Sequence, residues 1–143
     1  MTANDRLDIA SALLRVSLGV MFVSHALLKL MVFTLAGTAA YFESLGLPGL
    51  LAHATFAAEL VGGVMLVAGV RTRAVALALV PVLLGATWAH AGNGWVFSAP
   101  NGGWEYPLFL TVVAAAVALL GGGRYAIDAR RPTRAAAPEL RTA

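Results

Sequence analysis

Four long apolar segments take up most of this 143-residue chain. Each is close to the ~20 residues that an α-helix needs to cross the hydrocarbon core of a bilayer. Only 12% of the residues are charged, whereas soluble domains carry about 25%. The segments are residues 9–33, 53–70, 74–91 and 106–120. The sequence therefore predicts an all-α membrane protein built as a four-transmembrane-helix bundle.

The basic residues outside these segments lie in alternate connections. Arg6 precedes the first segment, Arg71 and Arg73 separate the second from the third, and further arginines follow the fourth. The connections 34–52 and 92–105 contain no Lys or Arg. Because basic residues favour cytoplasmic loops, we expect both termini to be cytoplasmic and these two connections to be external. Such an ordered distribution argues against nucleic acid as a partner, despite the net charge of +3.

Residues 1–128 are predicted to form one transmembrane domain, and residues 129–143, rich in Arg, Ala and Pro, a disordered cytoplasmic tail. The lipid bilayer is the expected partner, and a homo-oligomer is left open. Cysteine is absent. A disulfide, a thiolate metal site and a dithiol relay are therefore excluded within the chain, and with them the four-helix quinone-linked enzymes that form disulfides.

One acidic residue, Glu59, interrupts the second apolar segment. An ionisable group in hydrocarbon is costly, so it needs a partner or a task. Gly62 and Gly63 follow on the same helical face. Because small residues let a neighbouring helix approach closely, we expect Glu59 to face the interior of the bundle, coupled to Lys29 or His25 of the first helix.

Ionisable residues from all four segments are predicted to gather in the outer half of the bilayer, from a rise of about 1.5 Å per residue. They are His25, Lys29, Glu59, His90 and Glu105. We predict that they form a pocket in which Glu59 and His90 are candidates for proton relay. A buried ion-pair network that only fixes helix register is the competing explanation.

Other features complete the predicted site. Trp88, Trp95, Trp104 and Tyr106 form an aromatic belt at the same level. A haem between His25 and His90 is disfavoured because no further signal accompanies the two histidines, and no metal site is expected.

Arg15 lies near the inner side of the first segment, away from the predicted pocket. We expect its side chain to extend toward the lipid headgroups.

Four blocks of this sequence resemble the DoxX family of small bacterial membrane proteins. They are residues 24–30 (SHALLKL), 59–73 (ELVGGVMLVAGVRTR), 90–107 (HAGNGWVFSAPNGGWEYP) and 123–128 (GRYAID). The resemblance implies a multi-pass protein of the bacterial plasma membrane over about residues 8–128. Relatives in the family include a subunit of a thiosulfate:quinone oxidoreductase and partners of redox-defence enzymes, and several members have no assigned activity.

Three functions stay open. In the first, the chain is a subunit of a quinone-linked oxidoreductase, whose pocket binds the quinone headgroup while Glu59 or His90 moves its protons. In the second, it is a non-catalytic anchor for a membrane-associated oxidoreductase. The third, a small proton-coupled transporter, is disfavoured because the acid of such transporters is expected in the first helix, where this chain has His25 and Lys29.

Overall fold

Five α-helices and two short 3-10 helices make up residues 1–130, which are the residues described by the computed structural model. No β-strand occurs in this part of the chain. The α-helices are α1 (Ala3–Met31), α2 (Leu35–Ser44), α3 (Leu50–Ala68), α4 (Thr72–His90) and α5 (Glu105–Leu120). The all-helical prediction is confirmed. The tail predicted over residues 129–143 lies outside the described residues from position 131 onward.

Three of the described helices, α1, α3 and α4, are long and apolar enough to cross a membrane. The predicted fourth crossing corresponds to α5, an apolar helix of 16 residues. The connection between the first two crossings forms the short helix α2. Membrane character therefore follows from length and composition, while the fourth crossing stays a prediction.

Local capping sets the helix ends, which differ from the ends of the apolar segments. α1 begins well ahead of Ile9 because Thr2 and Asp5 form a capping box. Its Thr2 N–H donates to the Asp5 carboxylate at 2.8 Å, and the Asp5 N–H donates to Thr2 Oγ1 at 3.2 Å. α3 ends at Ala68 because Gly69 adopts the left-handed conformation, with φ of 75°.

Glycines bring α1, α3 and α4 into close contact. A Cβ atom on Gly19 of α1 would lie 2.7 Å from the Gly63 carbonyl oxygen, and one on Gly63 would lie 2.8 Å from the Gly19 carbonyl oxygen. On the neighbouring position, a Cβ atom on Gly62 would lie 2.9 Å from Leu79 Cδ1 of α4. α3 is therefore packed closely between α1 and α4, as its glycines predicted, and Glu59, one turn earlier on α3, is buried.

The core lies between α1, α3, α4 and α5. Its largest fully buried side chains are Leu18, Leu66 and Val117. Large apolar side chains also cover the outward faces of these helices, for example Val20, Val61 and Leu77, which are about half exposed or more. An extended apolar exterior of this kind is typical of a surface that contacts lipid.

Arg15 is buried, so the prediction that it extends to the headgroups was wrong. Its guanidinium donates hydrogen bonds to four carbonyl oxygens, those of Leu66, Val67, Gly122 and Tyr125. Two of these lie in the last turn of α3, where carbonyls lack partners within the helix and the helix dipole favours a cation. Arg15 thereby ties the segment after α5 to the end of α3.

The two ends of the bundle have different contents. At one, Arg124 pairs with Asp5 at 2.7 Å, and the Asp128 N–H donates to the Gly69 carbonyl at 3.2 Å. The start of α1, the α3–α4 turn and the segment after α5 therefore meet there, and we call it the terminal end. The opposite end, where α1 finishes and residues 91–104 connect α4 to α5, is the loop end.

Candidate functional site

A cavity of about 680 Å³ lies between α1, α3, α4 and α5 toward the loop end. Apolar side chains such as Phe22, Leu83 and Leu110 form most of its wall. Its ionisable or hydrogen-bonding side chains are His25, Lys29, Glu59, His90 and Tyr106. A volume between about 300 and 1,000 Å³ with a few convergent polar groups is usual for a small-molecule site.

Four of the five residues predicted to share a pocket line this cavity, namely His25, Lys29, Glu59 and His90. The fifth, Glu105, lines an adjacent groove instead, and its carboxylate accepts a hydrogen bond from the Phe97 N–H at 2.8 Å. Glu105 is the first residue of α5, and the next residue, Tyr106, takes the position that faces the cavity. Glu105 was predicted to join the pocket from its depth along the helix, and depth alone does not determine the direction in which a side chain points around a helix.

Lys29 and Glu59 form an ion pair in the cavity wall. Lys29 Nζ lies 2.9 Å from Glu59 Oε1 and 2.7 Å from Oε2, so the pair predicted between α1 and α3 is present. The side chains are 16% and 7% exposed, respectively. Because an ammonium has three N–H donors, one donor of Lys29 remains for another acceptor in the cavity.

The ring of His25 is held by its own helix and by α5. Its Nδ1 lies 2.8 Å from the Met21 carbonyl oxygen, and the ring stacks on Tyr106 with centroids 6.0 Å apart. Since a carbonyl can only accept, Nδ1 carries the hydrogen in this contact. Nε2 is then an acceptor in the neutral ring and a donor in the protonated ring.

His90, at the end of α4, is oriented in the same way by the loop. Its Nδ1 lies 3.0 Å from the Asn101 carbonyl oxygen and 3.1 Å from that of Gly102. The amide of Asn93 donates to the same two carbonyls. Within residues 1–130, Nε2 has no hydrogen-bond partner in either cavity histidine.

The loop that closes the cavity is ordered by aromatic and backbone contacts. Trp95 and Trp104 meet edge to face with ring centroids 4.4 Å apart. The Glu105 N–H donates to the Trp95 carbonyl at 3.1 Å. Among the aromatic residues of the predicted belt, Tyr106 lines the cavity, whereas Trp88 is exposed.

Phe97 also lines the cavity, although it was not among the residues predicted from the sequence. Its position two residues after Trp95, in a loop flanked by histidine and tryptophan, was the available signal.

Within the described part of the chain, no group of three or more His, Cys, Asp or Glu side chains is arranged to hold a metal ion.

Comparisons with known proteins identify the family. The family model described as DoxX matches residues 10–92, which include His25, Lys29, Glu59 and His90 of the cavity. A Bacillus subtilis (strain 168) protein named "Putative oxidoreductase CatD" is 34% identical over 128 residues, covering 87% of this chain and 89% of that protein. No solved structure matches the chain. The chain therefore belongs to the DoxX family.

Proposed function

We propose that this DoxX-family protein is the quinone-binding membrane component of an oxidoreductase system. The observation that carries the proposal is the cavity, in which two oriented imidazoles and the Lys29–Glu59 pair are set in an apolar wall. A quinone headgroup is flat and largely apolar, with two carbonyl oxygens that accept hydrogen bonds. The oxidoreductase name of CatD supports the same class of reaction.

The cavity contains suitable donors for both carbonyls. A protonated His25 or His90 donates from Nε2, and Lys29 donates its remaining N–H. Both oxygens of Glu59 already accept from Lys29. We therefore assign proton delivery to the histidines, and to Glu59 the orientation of the Lys29 ammonium.

Reduction of a quinone to a quinol consumes two electrons and two protons. In this proposal the electrons come from an associated oxidoreductase, while His90, next to the connecting loop, passes protons from the loop end to the bound headgroup. A histidine suits this task because an imidazole can accept a proton at one ring nitrogen and donate one from the other.

We further propose a multi-pass arrangement in the bacterial plasma membrane, with four crossings and cytoplasmic termini. Arg71, Arg73 and Arg124 belong to the terminal end, which supports a cytoplasmic location for that end.

The fourth crossing would be α5, which packs against α4 and α1. Its length of about 24 Å is short of the usual ~30 Å hydrocarbon thickness. Local bilayer thinning can accommodate that difference.

The test is direct binding of a tail-less benzoquinone to the purified protein in lipid nanodiscs, measured by equilibrium dialysis. We expect saturable binding that weakens by about tenfold or more in His25→Ala and His90→Ala, since a hydrogen bond to a charged group contributes about 1.5–3 kcal/mol. The third histidine, His53, is exposed and outside the cavity, so His53→Ala is the matched control and should bind like the wild type.

A partner measurement separates this function from anchoring. The same variants are expressed in native membranes, and the recovery of associated oxidoreductase is measured together with its quinone-linked activity. The proposal predicts normal abundance and recovery for His90→Ala with loss of activity per complex. Unchanged activity per complex, or no quinone binding by the wild type, overturns the proposal and leaves the anchoring role.

A further inference from the structure

An open groove runs along the outside of α5 next to the cavity, with a volume of about 480 Å³. One wall is the helix itself, where Leu108, Phe109 and Val112 follow Glu105 at helical spacing and share one face. Trp95 and Phe97 of the connecting loop form the other wall. The groove is therefore apolar along the helix.

The groove and the cavity adjoin at two aromatic residues. Phe97 and Tyr106 line both spaces. The Tyr106 ring stacks on His25, and the Phe97 backbone N–H donates a hydrogen bond to the Glu105 carboxylate. A ligand that extends from the cavity into the groove would therefore pass these two rings.

The groove is exposed on the apolar exterior of the bundle. Phe97 of the connecting loop is 66% exposed, and Val112 is 62% exposed on the apolar outward face of α5. From Glu105 to Val112 the groove descends about 10 Å along α5, away from the loop end and toward the middle of the bundle. An apolar, linear chain attached to a headgroup in the cavity would fit this course.

We infer that the groove seats the first part of the isoprenoid tail of a membrane quinone, which passes between Phe97 and Tyr106 while its headgroup occupies the cavity. This inference rests on the proposed function. The groove is then a second binding surface, so that the affinity for the quinone depends on its tail as well as on its headgroup. It also gives the ligand an exit sideways into the bilayer, where a long-tailed quinone resides.

The test compares two ligands with the same headgroup, a tail-less benzoquinone and its polyisoprenoid form, in nanodiscs of fixed lipid composition. Val112→Trp fills the groove without touching the cavity, and Val61→Trp places the same side chain on the exposed face of α3 as a control. We expect Val112→Trp to weaken the long-tailed quinone about tenfold, or ~1.4 kcal/mol, and leave the tail-less one unchanged. Val61→Trp should change neither affinity.

Phe109→Ala gives a second variant that removes a groove wall without adding bulk, and it should also weaken only the long-tailed quinone. If the groove holds a lipid acyl chain instead, both groove variants will bind both quinones as the wild type does, which overturns the inference and leaves the proposed function standing. Absence of binding of either quinone to the wild type overturns both.

Discussion

The ammonium of Lys29 contacts both carboxylate oxygens of Glu59 across the α1–α3 interface, at 2.9 and 2.7 Å. The same two helices also touch at Gly19 and Gly63, where a Cβ atom on either residue would meet the other's carbonyl. The close backbone contact and the ion pair thus fix one interface at two depths. This arrangement allows the effect of charge and the effect of packing to be tested separately.

Neutralising one member of the ion pair should destabilise the protein. In Glu59→Gln the Lys29 ammonium loses its charged partner while remaining largely buried, and such losses typically reach about 3–5 kcal/mol in well-buried pairs. The double variant with Lys29→Met should recover part of the loss. Thermal unfolding in detergent measures the four members of the cycle, with Glu43→Gln as an exposed control. Strictly additive losses would show that the two groups do not interact.

A methyl group at the helix contact should be harmful, although alanine is the better helix former. Gly19→Ala forces α1 away from the Gly63 carbonyl, and overpacking of this kind typically costs about 1–3 kcal/mol. A Cβ atom on Gly85 of α4 would have open space around it. Gly85→Ala should therefore be neutral or stabilising by up to ~1 kcal/mol. The comparison uses the same unfolding assay. Equal effects at both positions would refute the close contact.

Arg15 should be among the most sensitive positions outside the cavity. Arg15→Met removes the donor to four carbonyls, and hydrogen bonds to charged groups contribute about 1.5–3 kcal/mol each. We expect a loss of stability of ~3 kcal/mol or more, with Arg15→Lys giving a smaller loss because it retains the charge without the planar fork of donors. Arg6→Met, at an exposed position, is the control. A difference of less than ~1 kcal/mol between Arg15→Met and that control would contradict the assigned role.

The membrane helices and the Glu59 partner could be predicted because both follow from the cost of polarity in hydrocarbon. Long apolar runs bound α3, α4 and α5 to within three residues, although α1 begins six residues before its run. A lone acid required a cation on a neighbouring helix. Lys29 of the first helix was one of the two cations expected to pair with Glu59, and it makes that contact. The blocks that resemble the DoxX family also contain Lys29 and Glu59, so the resemblance indicated the same two residues.

The remaining features depend on contacts that side-chain patterns do not encode. Arg15 finds backbone carbonyls at the end of α3, and these acceptors exist wherever a helix ends, whatever its sequence. Glu105 accepts a hydrogen bond from the Phe97 N–H because it is the first residue of α5 and lies next to the connecting loop. The position at which a helix begins cannot be read from the depth of a residue in the membrane. The sequence therefore predicted the composition of the cavity better than its boundary.

The proposed topology predicts opposite accessibility for the two ends of the bundle. The chain has no cysteine of its own, so single cysteines can report on each end. Asn4 and Ser98 are exposed and lie at the terminal and loop ends, respectively. Thr72, the first residue of α4, is buried and would label poorly from either side. A membrane-impermeant maleimide applied to intact cells should label Ser98→Cys and leave Asn4→Cys unlabelled until the membrane is permeabilised. The reverse pattern would place the cavity near the cytoplasm and overturn the route of protons from outside, while labelling of both from outside would exclude the proposed orientation.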